Sequence, residues 1–440
     1  MKGIILGTRN RVQGVFYGWW IVASGFVIQT LWGGLLANGF TLYFLPLQAE
    51  FGWSRTLLAA VNSMQRVESG LLGPIEGWAV DKIGPRRIAA VGIFIFGGGF
   101  ILFSTVHTVS TFFFAFALMA LGTSLSGFLP ILTSITNWFS HKRAMAMGIA
   151  MTGMSVGGLA VPALAWSITS YGWRPTAVAS GLIIWAVGIP AAFVLRHKPE
   201  QYGYLPDGVQ ADLPGEQRQD SATADPKAKE ASAADEGFSV KEALRTPAFW
   251  LLSFGHAFAL AAVATVSLFL VPHLVQQAGL SLQAAGNVVA MLLAMNVVAQ
   301  LGGGFVADRM NKRALLAICM LSHAVGLLFL AYGTTMPQLV LFALFHGLAW
   351  GVRAPTIQSI RADFFGRRAY ATIYGFANLI NGATLTAAPL FTGWLADLRG
   401  DYILAFTIMA VITGSGSVFF VFARRPVQRA AGGAEAAPSY

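Results

Sequence analysis

The chain has 440 residues, 55% of them hydrophobic and 11% charged, with a formal net charge of +10. Its mean hydropathy of +0.62 is far from that of a soluble globular mixture, so much of its surface needs lipid as the solvent. The single cysteine, Cys319, excludes an intramolecular disulfide scaffold and offers no metal-ligand cluster.

Twelve apolar segments of about 20 residues, long enough to cross a hydrocarbon core as helix, follow one another along the chain. Six are centred near residues 32, 66, 97, 122, 155 and 184, and six near 261, 293, 323, 349, 381 and 411. The expected fold class is an all-α membrane protein with twelve transmembrane helices. No removable signal peptide stands apart from the first span. With both termini cytoplasmic, 24 of the 29 Lys and Arg fall in cytoplasmic segments. This is the positive-inside bias, and it sets the expected orientation in the cytoplasmic membrane. The basicity therefore reports topology, and a nucleic-acid partner is not expected.

Span two carries a polar stripe of Asn62, Gln65, Arg66 and Ser69. Ionisable groups in the hydrocarbon region cost about 2.5–3.5 kcal/mol each on insertion scales, so each is a candidate for function. Arg66 and Glu68 are separated by about 160° of helix rotation and do not face each other. Glu68, the only carboxylate near the middle of any span on this reading, is the proton-coupling candidate. Its plainer role is a static ion pair between helices.

Past span two the chain reads GWAVDKIGPRR, Gly77 to Arg87, and past span eight GFVADRMNKR, Gly304 to Arg313. Each has Gly, then Asp four residues on, then a basic cluster: Asp81 with Arg86 and Arg87, and Asp308 with Arg309 and Arg313. The repeat extends further: Gly122, Pro130, Arg143, Ala144 and Ala146 recur as Gly347, Pro355, Arg368, Ala369 and Ala371. Two homologous six-span halves follow, an N-terminal bundle over 1–195 and a C-terminal bundle over 246–425. Between them lies a cytoplasmic linker over 196–245, whose stretch ADLPGEQRQDSATADPKAKEASAADEG has almost no large apolar side chains and is expected to be mobile. A disordered cytoplasmic tail is expected over 426–440. Ser239 and Glu242 form a capping box for a short helix, and Thr246 with Pro247 opens span seven.

In span eight, Asn296 and Gln300 share a face, as do Asn378 and Asn381 in span eleven. Such amides serve as helix packing at least as often as ligand contacts. In span ten, Arg353 lies about 12 Å below the cytoplasmic end, with His346 and Trp350 on the same face. A guanidinium beside an indole suits a carboxylate through paired N–H donors. His256, His273 and His323 are expected to be interfacial or internally bonded. The runs Gly97–Phe100 and Gly302–Gly304 lack a preceding strand and the Lys of a phosphate loop, so ATP is not implied. No cofactor, metal or catalytic constellation is expected.

Twelve spans, the six-plus-six repeat and the charged signatures resemble the major facilitator superfamily. The first signature matches its G-x-x-x-D-x-x-G-x-[RK]-[RK] pattern at Gly77, Asp81, Gly84, Arg86 and Arg87, whereas the second has Asn311 at the second Gly. WFSHKRAMAMGIAMTGMSVGG, Trp138 to Gly158, looks like the fifth-span motif of monocarboxylate porters. YGWWIV, FGWSR and RHKPEQYGYLPDG resemble the bacterial branch near oxalate–formate antiporters. That branch holds a basic residue in span eight, and here span eight has none. The resemblance implies two pseudo-symmetric bundles around a midplane site. It also implies gating contacts of Asp81 with span eleven near Arg367 and Arg368, and of Asp308 with span five near Lys142 and Arg143. The expected function is a monomeric secondary transporter of a small organic anion, a monocarboxylate, coupled to a proton or to a counter-anion. The alternatives are an exporter of hydrophobic or cationic compounds and a transport-inactive solute receptor.

Overall fold

The computed structural model of the protein describes residues 15–53, 55–208 and 237–427. The middle of the expected linker and the expected tail from 428 lie outside them. Twelve long helical segments are present: α1 (Tyr17–Phe51), α2 (Arg55–Ile83), α3 (Pro85–Phe103), α4 (Val109–Trp138), α5 (Arg143–Tyr171), α6 (Trp173–Val194), α7 (Pro247–Gln276), α8 (Leu282–Arg309), α9 (Lys312–Tyr332), α10 (Met336–Phe365), α11 (Tyr370–Arg399) and α12 (Ile403–Phe422). Ten are apolar enough to cross a membrane by length and composition alone. The other two, α2 and α11, are long enough at 29 and 30 residues, but polar side chains dilute their hydropathy. Large apolar side chains such as Phe94, Phe114, Trp166, Leu293, Ile318 and Leu390 face outward. On a helix bundle this is the surface that lipid covers.

The two halves have different cores. In the first half one aromatic-rich cluster runs through α1, α3 and α4 and includes Phe40, Phe96, Phe100, Phe103, Phe112 and Phe116. In the second half the core is in two parts. One gathers Phe342, Leu327, Leu330 and Phe406, the other Phe249, Leu252, Met320, Ile357 and Phe420. Between them, at mid-height on α7, α9 and α10, lie His256, His323, His346 and Arg353, all buried.

The halves meet along two antiparallel seams, α2 on α11 and α5 on α8. Both are close-packed toward the end that carries the charged signatures. Gly73 lies on Gly375 and Gly77 on Ala371, and a Cβ on Gly304 would stand 2.6 Å from the Ala144 carbonyl oxygen. Small residues let these backbones approach.

The departure in the second signature has a local cause. Gly84 sits at φ 97°, a conformation suited to glycine, and leads into Pro85 at the first turn of α3. Asn311, at φ −64°, instead caps α9, its Oδ1 accepting from the N–H of Arg313 at 3.0 Å and of Ala314 at 3.4 Å. Each half thus turns the corner with a different device.

The expected caps at Ser239 and Thr246 are present, each accepting the backbone N–H three residues on. Ahead of the stretch expected to be mobile, the linker begins with a folded strap, 196–208. Arg196 lies between the Tyr17 and Tyr202 rings, 3.7 and 4.1 Å from their centroids. Asn137 donates to the His197 carbonyl at 2.7 Å, and Asp207 accepts from the N–H groups of Ser140 and His141. The aromatic and charged residues of RHKPEQYGYLPDG give this piece a surface to fold on.

Candidate functional site

Between the halves lies a cavity of about 330 Å³. Gln65 and Glu76 of α2, His256 of α7, Trp350 and Arg353 of α10, and Tyr374, Asn378 and Asn381 of α11 border it. The two polar helices thus face the chamber, which explains why they are polar. Arg353 is 1% exposed. Its Nη1 donates to His256 Nδ1 at 2.6 Å and its Nε to His323 Nε2 at 3.4 Å. His323 Nδ1 is 3.1 Å from His346 Nδ1. Among the described residues no carboxylate pairs with Arg353 in a salt bridge. A guanidinium held by neutral acceptors keeps its whole charge for whatever enters the chamber.

The expected site residues divide. Arg353, Trp350, Asn378 and Asn381 come together on the chamber. His346 does not reach it: seven residues carry it about 10 Å further along α10, where His323 of α9 covers it. Asn296 and Gln300 are buried and do not border the chamber, and their backbone carbonyls lie against Gly351 of α10 and Gly148 of α5. The side chains of Arg66, Asn62 and Ser69 lie outside the described residues. Glu68 is half-buried, with Oε2 unpartnered, and does not border the chamber. It is also not alone: Glu76, two turns along the same helix, is 4% exposed and accepts from Ser124 Oγ at 2.6 Å. It lies only five residues before Asp81, toward the signature end of α2. His256 and His323 are internally bonded, and their partner is Arg353, a contact that no spacing along one helix reveals.

At the signature end Asp81 accepts from the backbone N–H of Ala371 at 3.2 Å and of Thr372 at 2.8 Å, and from Thr372 Oγ1 at 2.7 Å. Asp308 accepts from the N–H of Ala144 and Met145, both at 2.9 Å. These are the first turns of α11 and α5, where exposed N–H groups and the helix dipole favour a carboxylate. Arg143 is buried and pairs with Asp363 at 2.5 Å, and Lys312 pairs with the same carboxylate at 2.6 Å. Arg368, its repeat counterpart, is exposed. Its neighbour Arg367 is the one that crosses, donating to the Asn137 carbonyl at 2.8 Å and to Glu200 at 3.0 Å. Arg86 lies over the Phe193 ring and Arg309 over Phe305, both within their own halves, and Arg313 donates to the Ala423 carbonyl.

The sequence model of the Major Facilitator Superfamily matches residues 21–299 and, again, 252–439. The chain belongs to the Major Facilitator Superfamily. The two matches overlap over 252–299 and together run through both halves of the fold, and the protein is an integral membrane transporter of this superfamily. Monocarboxylate transporter 12-B of Danio rerio is 24% identical over 428 residues, covering 94% of this chain and 88% of the relative. The fucose:proton symporter FucP of E. coli shares the fold with a TM-score of 0.68 at 14% identity, over 94% of this chain and all of that one. The human organic anion transporter MFSD10 aligns with a TM-score of 0.64 at 14% identity, over 92% and 98%. These superfamily relatives are transporters rather than enzymes.

Proposed function

We propose that this transporter moves a small organic anion, a monocarboxylate, by alternating access, with a proton or in exchange for another anion. The observation that carries this reading is Arg353, a buried cation on the chamber wall that is held by histidine nitrogens. A carboxylate can take two of its N–H donors while Trp350 packs beside it and Asn378 and Asn381 donate from the facing helix. The similarity to monocarboxylate transporter 12-B over most of both chains supports the same substrate class. On the expected topology the signature end is cytoplasmic and both termini lie there, in the cytoplasmic membrane. Asp81, Asp308, Arg143 and Arg367 then form the cytoplasmic gate, closed here, and must release when the chamber turns inward.

The test is uptake and exchange of radiolabelled L-lactate, formate and benzoate in proteoliposomes. Exchange by the wild type and its loss in Arg353→Ala are expected. No flux of any of the three sinks the reading. A second reading, export of a cationic compound, is favoured by Glu76, whose Oε1 is buried on the chamber wall without a partner. Drug sensitivity that changes with expression of the protein, together with inert carboxylates, would select it.

A further inference from the structure

The polar layer in the second half has a definite proton arrangement. Arginine carries only donors, so His256 Nδ1, 2.6 Å from Arg353 Nη1, must accept, and the N–H of the neutral ring lies on Nε2. By the same logic His323 Nε2 accepts from Arg353 Nε, which puts the His323 proton on Nδ1. That proton points at His346 Nδ1, 3.1 Å away, and leaves the His346 N–H on Nε2, a buried atom with no partner. All three rings are therefore neutral while Arg353 holds them. His323 and His346 back the guanidinium from inside the bundle. His256 alone of the three borders the chamber.

We infer that the chamber takes its anion and a proton together, the anion on Arg353 and the proton on His256. The inference rests on the anion reading above. Without an anion, a second proton on His256 would face an N–H donor and bring two positive charges to 2.6 Å. A carboxylate drawing Nη1–H toward itself frees Nδ1 and cancels the guanidinium charge. His256 then accepts a proton from hydronium that reaches the chamber from the bulk solution, leaving water, becomes an imidazolium and donates to the bound carboxylate. It returns that proton when the anion leaves on the other side. One negative and one positive charge enter per cycle, so the loaded and empty chambers carry the same net charge and cross the membrane field at equal cost.

Among the described residues, the other ionisable groups around the pair are Cys319 of α9 and Arg361 of α10, both in electrostatic contact with Arg353, with Tyr374 of α11 and Glu76 of α2 on the chamber wall. From α8 and α12 the buried side chains Asn296, Gln300 and Thr413 are uncharged.

The experiment measures lactate uptake into proteoliposomes with and without an acid-outside gradient. The wild type should be accelerated by the gradient. His256→Gln should lose that acceleration, and its remaining lactate exchange should be flat between about pH 5 and 8. His107→Gln, on an exposed loop outside the chamber, should respond as the wild type does. A His256→Gln protein that keeps the gradient response overturns the inference while leaving the anion reading intact. A second measurement needs no variant: lactate added to unbuffered purified protein near neutral pH should draw about one proton per filled site. Binding without proton uptake overturns the inference as well. A wild type that neither binds nor exchanges lactate, formate or benzoate overturns the anion reading, and this inference with it.

Discussion

Asp81 and Asp308 occupy matching places in the two halves, and each holds the first turn of a helix in the opposite half through two backbone N–H groups. The symmetry is of contact rather than of sequence, since the turns that follow the two residues differ. Removing the charge from either should release one seam. Asp81→Asn keeps the shape but loses a charge-assisted acceptor, a change of about 1–3 kcal/mol. Spin labels at Lys82→Cys and Arg309→Cys, both exposed, should then report a larger share of long distances. Cys319 is buried, which keeps background labelling low. An unchanged distance distribution would remove Asp81 from the gate.

Gly304 offers a steric version of the same test. A side chain there meets the Ala144 carbonyl oxygen at 2.6 Å and the Met145 Cα. Gly304→Val should prop the α5–α8 seam open at about 1–3 kcal/mol and slow exchange, with the same spin-label pair shifted outward. Wild-type distances and rates would mean that the seam yields elsewhere.

Arg353→Lys keeps the charge and removes the planar pair of donors. Carboxylate affinity should fall by about tenfold or more, equivalent to about 1.4 kcal/mol, read as a lost thermal shift with lactate. Equal affinity in the two proteins would argue for a point charge rather than a paired contact.

The strap should respond to acid. Burial, and then the nearby Lys198, push the His197 imidazole below its usual value, with Glu200 opposing. The folded strap therefore binds the proton less readily than the unfolded one. Its share of stability is complete above the ordinary histidine value of about 6.5 and is lost as pH falls from there toward the folded value. Hydrogen exchange over 196–208, corrected for intrinsic rates, should be faster at about pH 5.5 than at about pH 7.5. His197→Gln should abolish the difference.

Local chemistry was legible in the sequence, in the caps at Ser239 and Thr246 and in the span positions, whereas the placing of each signature aspartate beside a helix of the other half came from the family resemblance. The chamber was legible in part. Arg353 and Trp350 share a face three residues apart, and the amides of α11 follow the same rule. Depth and partners were not. His256 and Arg353 are 97 residues apart, and no periodicity along one helix reveals what another brings against it. Arg367 and Arg368 are adjacent in the short turn between α10 and α11, yet the first crosses the seam and the second stays exposed. Glu76 is plainly polar in the sequence, but only the packing of α4 beside it makes it a chamber residue.

Asp363 has one cation from each half, Arg143 from the first and Lys312 from its own. When the bundles part, Arg143 withdraws and the carboxylate is left with an ammonium already in place. Rupture therefore leaves no unpaired anion at the interface, where the Asp363 side chain is only 33% exposed. A fastening with such a standby partner can be undone and remade in every cycle, and a machine that must turn over needs contacts of that kind more than strong ones.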